Sequence, residues 1–283
     1  MIRKLAEVKC FVVGSARSGT TLLSVLLDRH SGLAMTPETV FLGEVAPLID
    51  GRDAVAVERC LAAWRRLPEL GLEPREVLQR CGGDLRAPRV FRAILELFAE
   101  AHGKRWCGEK SPLHRKFVRD LARNFPEAKI LHILRDGRDV AASLMSVPWW
   151  SGSLAQAASF WLDAVNDLEE LDAALPDQFL VVSYRSLVTQ PAATLGQVMC
   201  FLGLDLEPAQ LDPAMPSGVV LARSLEWKGR ALRAVDTGRM DRWRALPEPD
   251  RALLDAVLGP RVSELGRAFE TLPRRSPQRG SIR

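Results

Sequence analysis

The chain has 283 residues, 47% of them hydrophobic and 26% charged, and a formal net charge of +4. That length buries a large core as one domain with a helical elaboration, and the composition is ordinary globular usage, which excludes a disordered or fibrous class. The positive balance suits polyanionic ligands but falls short of the clustered basic faces of nucleic-acid binders.

The first element is a strand from about Val8, and Phe11 to Thr21 reads Phe-Val-Val-Gly-Ser-Ala-Arg-Ser-Gly-Thr-Thr before the leucine-rich run Leu22 to Leu27. An apolar run, a glycine-bracketed loop and an apolar periodic segment predict strand, phosphate loop and helix. The spacing Gly14-x4-Gly19 is that of a P-loop, in which backbone N–H groups and a helix N-terminus face a bound anion. Where a nucleotide triphosphatase carries lysine after the second glycine, this chain has Thr20, and Arg17 supplies the cation instead. Such a loop holds one phosphate-like group and lacks the side chain that spans β- and γ-phosphates. A bare glycine turn is the plain alternative, opposed by two glycines, an arginine and four hydroxyls within eight residues.

Ser31 to Leu42 reads as a loop carrying a short strand. Arg52 to Ala101 is helical in spacing, interrupted at Gly82-Gly83 and by prolines, and predicts a helical lobe over residues 52–105. Trp106 to Gly108 reads as a strand leading into Lys110, and Leu113 to Phe125 as a helix. Lys129 to Leu134 is a buried parallel strand, followed by the turn Arg135-Asp136-Gly137-Arg138-Asp139 and a helix through Ser143. Arg135 at the strand's carboxyl end and Ser143 along the helix then face the crevice where open α/β sheets bind ligands. An arginine fork and a hydroxyl suit a second phosphate. Leu154 to Leu171 predicts one helix, Phe179 to Ser183 a strand and Ala192 to Leu202 a helix. Pro273 to Arg283 is a basic tail that predicts disorder, leaving a single domain over 1–272.

Taken together, the loop Arg17-Ser18-Gly19-Thr20-Thr21 and the Arg135…Ser143 pair resemble the sulfotransferase superfamily that uses 3′-phosphoadenosine 5′-phosphosulfate, closer to its tyrosylprotein and bacterial branches than to the cytosolic phenol and steroid enzymes. The likeness extends to Glu38 in Thr36-Pro37-Glu38-Thr39, Lys110 in Gly108-Glu109-Lys110-Ser111-Pro112, Val182 to Leu187 and Gly238 to Trp243. It departs at Val147, where the tyrosylprotein branch has a basic residue. The resemblance implies an α/β, P-loop-like three-layer fold, a central parallel sheet flanked by helices with a helical insertion lobe bordering the acceptor site. It further implies sulfuryl transfer to a hydroxyl or amine by in-line displacement, with adenosine 3′,5′-bisphosphate as product and no metal.

By that resemblance Glu38 is the general base, with Glu44 and His114 as competitors, and Lys110 stabilises the departing oxygen. Arg17, Ser18, Gly19, Thr20, Thr21, Arg135, Ser143, Tyr184, Arg239 and Arg242 hold the nucleotide. The basic segment Arg223 to Arg244, with Lys228, Arg230, Arg233, Trp227 and Trp243, resembles a loop that folds over the 3′-phosphate. His132 reads as a packed core residue. The acceptor is a small molecule, lipid, carbohydrate or peptide, and Trp149-Trp150 offers either a stacking face or core. Two other classes stay open: a P-loop small-molecule kinase, and a non-catalytic nucleotide-binding regulator.

Cys10, Cys60, Cys81, Cys107 and Cys200 are odd in number and scattered, which points to reduced thiols and neither a disulfide framework nor a metal site. With a strand starting near Val8 and no apolar run long enough to cross a bilayer, the expected location is cytoplasmic.

Overall fold

The computed structural model describes residues 6–215, 217 and 237–269. Five strands form one sheet: β1 (Glu7–Gly14), β2 (Leu33–Met35), β3 (Trp106–Lys110), β4 (Lys129–Leu134) and β5 (Phe179–Ser183). They are ordered β2-β3-β1-β4-β5 and every pairing is parallel. The helices are α1 (Thr20–Asp28), α2 (Phe41–Glu44), α3 (Ala46–Ile49), α4 (Ala54–Ala63), α5 (Pro74–Cys81), α6 (Ala87–Ala101) and α7 (Val118–Asn124). They continue as α8 (Gly137–Leu144), α9 (Leu154–Val165), α10 (Leu168–Ala174), α11 (Tyr184–Thr189), α12 (Pro191–Leu202), α13 (Pro208–Leu211) and α14 (Glu248–Phe269).

The strands are apolar on both faces, as a parallel sheet covered by helices requires. In β4, Ile130 and Leu134 enter the core shared with α6, α8 and α9, while Leu131 and Ile133 enter the core shared with α1, α11 and α12. The period-two alternation of a strand divides them in this way. In β1 the register shifts between Val8 and Cys10. That irregularity resets the alternation, so Val8 shares its face with Phe11 and Val13 while Cys10 and Val12 face the other way. The result is the expected three-layer α/β architecture.

An aromatic cluster anchors the segment after β2. The Phe41 ring stacks on Phe91 of α6 at 4.6 Å, and Phe11 meets Phe125 edge-on at 5.1 Å. Each such pair contributes about 0.5–1.5 kcal/mol beyond its area burial. The short α2 therefore has a fixed seat on the longer α6.

Three expected boundaries differ. Leu154 to Leu171 is two helices, broken at Asn166–Asp167, with Leu168 and Leu171 buried in the second. Leu113 to Phe125 is a 3-10 turn, Pro112–Phe117, followed by α7. The tighter winding after Pro112 turns His114 fully inward. The strand expected to stop at Gly108 continues through Lys110, which is a buried strand-end residue. Arg223, Trp227, Lys228, Arg230, Arg233 and the 273–283 tail lie outside the described residues. Among the described residues, no helix is long and apolar enough to cross a membrane.

Candidate active site

In the sheet order, the chain leaves β1 toward β2 on one side and leaves β4 toward β5 on the other. The switch point lies between β1 and β4, and open α/β sheets bind ligands in the crevice at the carboxyl ends there. The loop after β1 carries Arg17, and the turn after β4 carries Arg135.

The loop is shaped by glycines that nothing else replaces. Gly14 has φ +146° and Gly19 φ +106°, and a Cβ on Gly19 would stand 2.5 Å from Tyr184 Cδ2. Left-handed backbone and the approaching ring both demand glycine. Ser18 N–H donates to the Ser15 carbonyl at 3.2 Å, and Ser18 Oγ donates to the same oxygen, closing the loop over the start of α1. Thr20 is buried and Thr21 half-buried in the first turn of that helix.

Arg17 is itself in the left-handed region, φ +71°, which is uncommon for a residue with a side chain. Its Nε donates to Ser143 Oγ of α8 at 3.1 Å, joining the two expected phosphate sites. Arg135 Nη1 donates to the Arg17 carbonyl at 3.0 Å, and its Nη2 donates to the carbonyl of Arg239. The guanidinium also lies over the Tyr184 ring at 4.7 Å, so Tyr184 is wedged between Gly19 and Arg135. Burial, with the nearby Arg239 and Arg135 charges, pulls the Arg17 guanidinium down to about 10. Three like charges drawn together in a partly buried crevice favour a bound polyanion. Arg135 Nε is buried and has no hydrogen-bond acceptor among the described residues.

The segment 237–245 is fastened across α8 by Asp139. Its carboxylate accepts from Asp241 N–H at 2.9 Å and Trp243 N–H at 3.2 Å, and stands 3.6 Å from Arg135 Nη2. Arg239 is thereby held against the crevice, whereas Arg242 is exposed on the 3-10 turn Arg242–Ala245. The turn after β4 is set by Gly137, where a Cβ would stand 2.5 Å from Trp161 Cδ2; Trp161 Nε1 donates to the Arg135 carbonyl at 3.0 Å.

On the other side of β1, Lys110 Nζ donates to Glu38 Oε2 at 2.9 Å. The Lys110 side chain is 2% exposed and that of Glu38 28%, so the carboxylate is the wet partner. The rivals for the base are engaged elsewhere. Glu44 accepts from Arg66 Nε at 3.1 Å and Trp64 Nε1 at 3.1 Å; although burial works the other way, these bonds hold its carboxyl below the usual value. Arg66 in turn donates to the Glu38 carbonyl at 2.8 Å, so Glu44 steadies the Glu38 loop through Arg66. His114 is fully buried, with Nδ1 3.0 Å from Glu109 Oε2 and Nε2 accepting from Leu42 N–H at 3.2 Å. Both ring nitrogens are thus engaged inside the protein.

His132 is a buried core residue, as expected, and burial followed by the charge of Arg115 pulls its imidazole down to about 3. Trp149 is 49% exposed and meets Trp150 edge-on at 6.4 Å. Sequence reasoning passed over Glu109, Asp139 and Arg66. The first two sit inside quoted motifs, and their adjacency to Lys110 and Arg135 was the available signal.

A sulfotransferase family model matches residues 10–208. The chain belongs to the sulfotransferase family. It is similar to the protein-tyrosine sulfotransferase of Drosophila melanogaster, at 26% identity over 269 residues covering 90% of this chain and 51% of that protein. The chain thus spans about half the length of that relative. The sulfotransferase domain of the Synechococcus PCC 7002 olefin synthase has the same fold, with a TM-score of 0.68 over 96% of this chain and 98% of that one at 24% identity. Mouse sulfotransferase SULT7A1, solved complexed with PAP, superposes with a TM-score of 0.53 over 95% of this chain and 90% of that one at 13% identity.

Proposed function

We propose that this protein transfers a sulfuryl group from 3′-phosphoadenosine 5′-phosphosulfate to a hydroxyl or amine acceptor. The observation that carries the reading is the junction of Arg17 with Ser143 and the convergence of Arg135 and Arg239 on the same crevice. The loop amides, Arg17 and Thr20–Thr21 receive the phosphosulfate end, and Arg135, Ser143 and Arg239 the 3′-phosphate. The buried Nε of Arg135, without an acceptor among the described residues, fits a group with several acceptor oxygens.

Glu38 removes the proton from the acceptor oxygen or nitrogen. As the bond from that atom to sulfur forms, the bond from sulfur to the 5′-phosphate oxygen breaks, and adenosine 3′,5′-bisphosphate departs with the charge. Before the acceptor arrives, Lys110 Nζ donates to Glu38 Oε2 and holds the carboxylate in place. Once Glu38 has taken the proton, that attraction weakens and Lys110 turns to the departing oxygen. One ion pair thus couples proton removal to leaving-group stabilisation.

The resemblance to a protein-tyrosine sulfotransferase supports a phenolic or other hydroxyl acceptor, on a peptide or a small molecule. Incubating the protein with the donor and acceptor panels, and reading by mass spectrometry the gain of one SO3, tests the activity. Stabilisation by ATP with Mg2+ but not by adenosine 3′,5′-bisphosphate would sink it.

A further inference from the structure

We propose that Glu109, acting through Ser111 and Thr39, is a positioning residue for the Glu38–Lys110 pair. The inference rests on the roles assigned to that pair under the proposed function. Glu109 Oε1 accepts from Thr39 Oγ1 at 2.7 Å, Thr39 N–H at 3.3 Å and Ser111 Oγ at 2.5 Å. Its Oε2 stands 3.0 Å from His114 Nδ1. Because His114 Nε2 accepts from a backbone N–H, the ring carries its proton on Nδ1 and donates it to Glu109. Glu109 and His114 are both fully buried.

The partners lie immediately beside the reacting residues. Thr39 follows Glu38, and Glu109 precedes Lys110 on β3, where neighbouring side chains point to opposite faces. The carboxylate therefore grips the Glu38 loop from behind the sheet edge while Lys110 meets Glu38 from the front.

The loop needs such a grip. Val40 has φ +52°, a left-handed conformation that a β-branched residue adopts only when its surroundings enforce it. The enforcing contact is present: Val40 N–H donates to Ser111 Oγ at 2.8 Å, and Ser111 is itself bonded to Glu109. Leu42, two residues on, is bonded to His114. A packed apolar cluster would stabilise this region at least as well as a buried carboxylate. What the carboxylate adds is direction, because four donors fix the loop in one geometry.

The test reads the carboxyl group of Glu38 by carbon-13 NMR in protein labelled at glutamate, with the resonance assigned by its loss in Glu38→Gln. In Ser111→Ala and Glu109→Gln the Glu38 titration is expected to move up, since the ammonium beside its carboxylate is no longer held against it. Adenosine 3′,5′-bisphosphate affinity should stay within about twofold, because neither residue touches Arg17 or Arg135. Val198→Ala, a core truncation on the far face, lowers the melting temperature without moving Glu38. If Glu109→Gln does not fold, Ser111→Ala decides. A Glu38 titration unmoved in both variants overturns the proposal, whatever happens to the melting temperature. Failure of the parent protein to bind the bisphosphate would instead strike the proposed function, and the titration would still decide the positioning role.

Discussion

Lys110 Nζ and Glu38 Oε2 stand 2.9 Å apart although 72 residues separate them in the chain. The lysine is delivered by the end of β3 and the glutamate by the loop after β2, two neighbouring parallel strands whose carboxyl ends open at the same edge. The pair is asymmetric, with a buried cation and a wetter anion. Its two members are therefore not interchangeable in what their loss does.

Glu38→Gln leaves a buried ammonium without its carboxylate, so it should cost about 1–3 kcal/mol of stability as well as lowering kcat by about 10²–10⁴. Affinity for adenosine 3′,5′-bisphosphate should be unchanged. Lys110→Ala should also lower kcat, and the double variant should be little worse than the more damaging single, since the two act as a unit. Additive losses in a double-mutant cycle would separate their roles.

His114→Ala and Glu44→Gln test the rival assignments. Both residues are committed to structural hydrogen bonds, His114 to Glu109 and Leu42, Glu44 to Arg66 and Trp64. Neither substitution should reproduce the signature of a lost base, a fall in kcat whose size depends on the acidity of the acceptor. A kcat loss in His114→Ala that shrinks with more acidic acceptors would transfer the base role to that residue.

Much of the scaffold was legible because it is written locally. Lys129–Leu134 and Phe179–Ser183 are short, mostly apolar runs, and both strands have those bounds. The P-loop glycines announced their own backbone. What was not legible is what depends on partners far along the chain. Glu109 reads as one more charge beside Lys110 until β2 and β3 pair and bring Thr39 against it. Asp139 looks like part of a solvated turn until residues 241 and 243 donate to it. The break at Asn166–Asp167 carries neither glycine nor proline, so no local breaker residue marks it in the sequence.

Arg17→Ala should trade function for stability. Burial and the neighbouring guanidiniums disfavour the charged form of Arg17 in the folded chain, so removing it relieves repulsion. The ligand-free variant should melt no lower than the parent, while affinity for the bisphosphate falls by about 1.5–3 kcal/mol, the scale of a hydrogen bond to a charged group. Arg135→Ala should lose comparable affinity and also melt lower, because Arg135 ties down the carbonyls of Arg17 and Arg239. Equal destabilisation by both changes would argue against a preformed anion site.

Gly19→Ala should abolish bisphosphate binding more completely than either arginine change. The new Cβ meets the Tyr184 ring, and φ +106° lies where only glycine rests without strain. Relief has to come from the loop or from the tyrosine, and both hold Arg135. Near-normal binding by calorimetry would mean that the loop amides do not face the phosphate.

The acid limb of stability should carry the mark of Glu109. Burial by itself would raise its carboxyl, but His114 beside it and the hydrogen bonds from His114, Ser111 and Thr39 prevail, and the group is held below its ordinary value. A carboxyl with a lower pKa in the folded chain than in the unfolded one contributes stability above the ordinary carboxylate range. That contribution is lost as pH falls toward its folded value, because the unfolded chain takes up the proton first. Glu109→Gln has no such group. In urea melts from pH 7 downward, the gap between parent and variant should be widest near neutrality and should narrow below the ordinary carboxylate range. A gap that stays constant with pH would show that Glu109 contributes only its shape, and that the ionised carboxylate is not what holds the Glu38 loop.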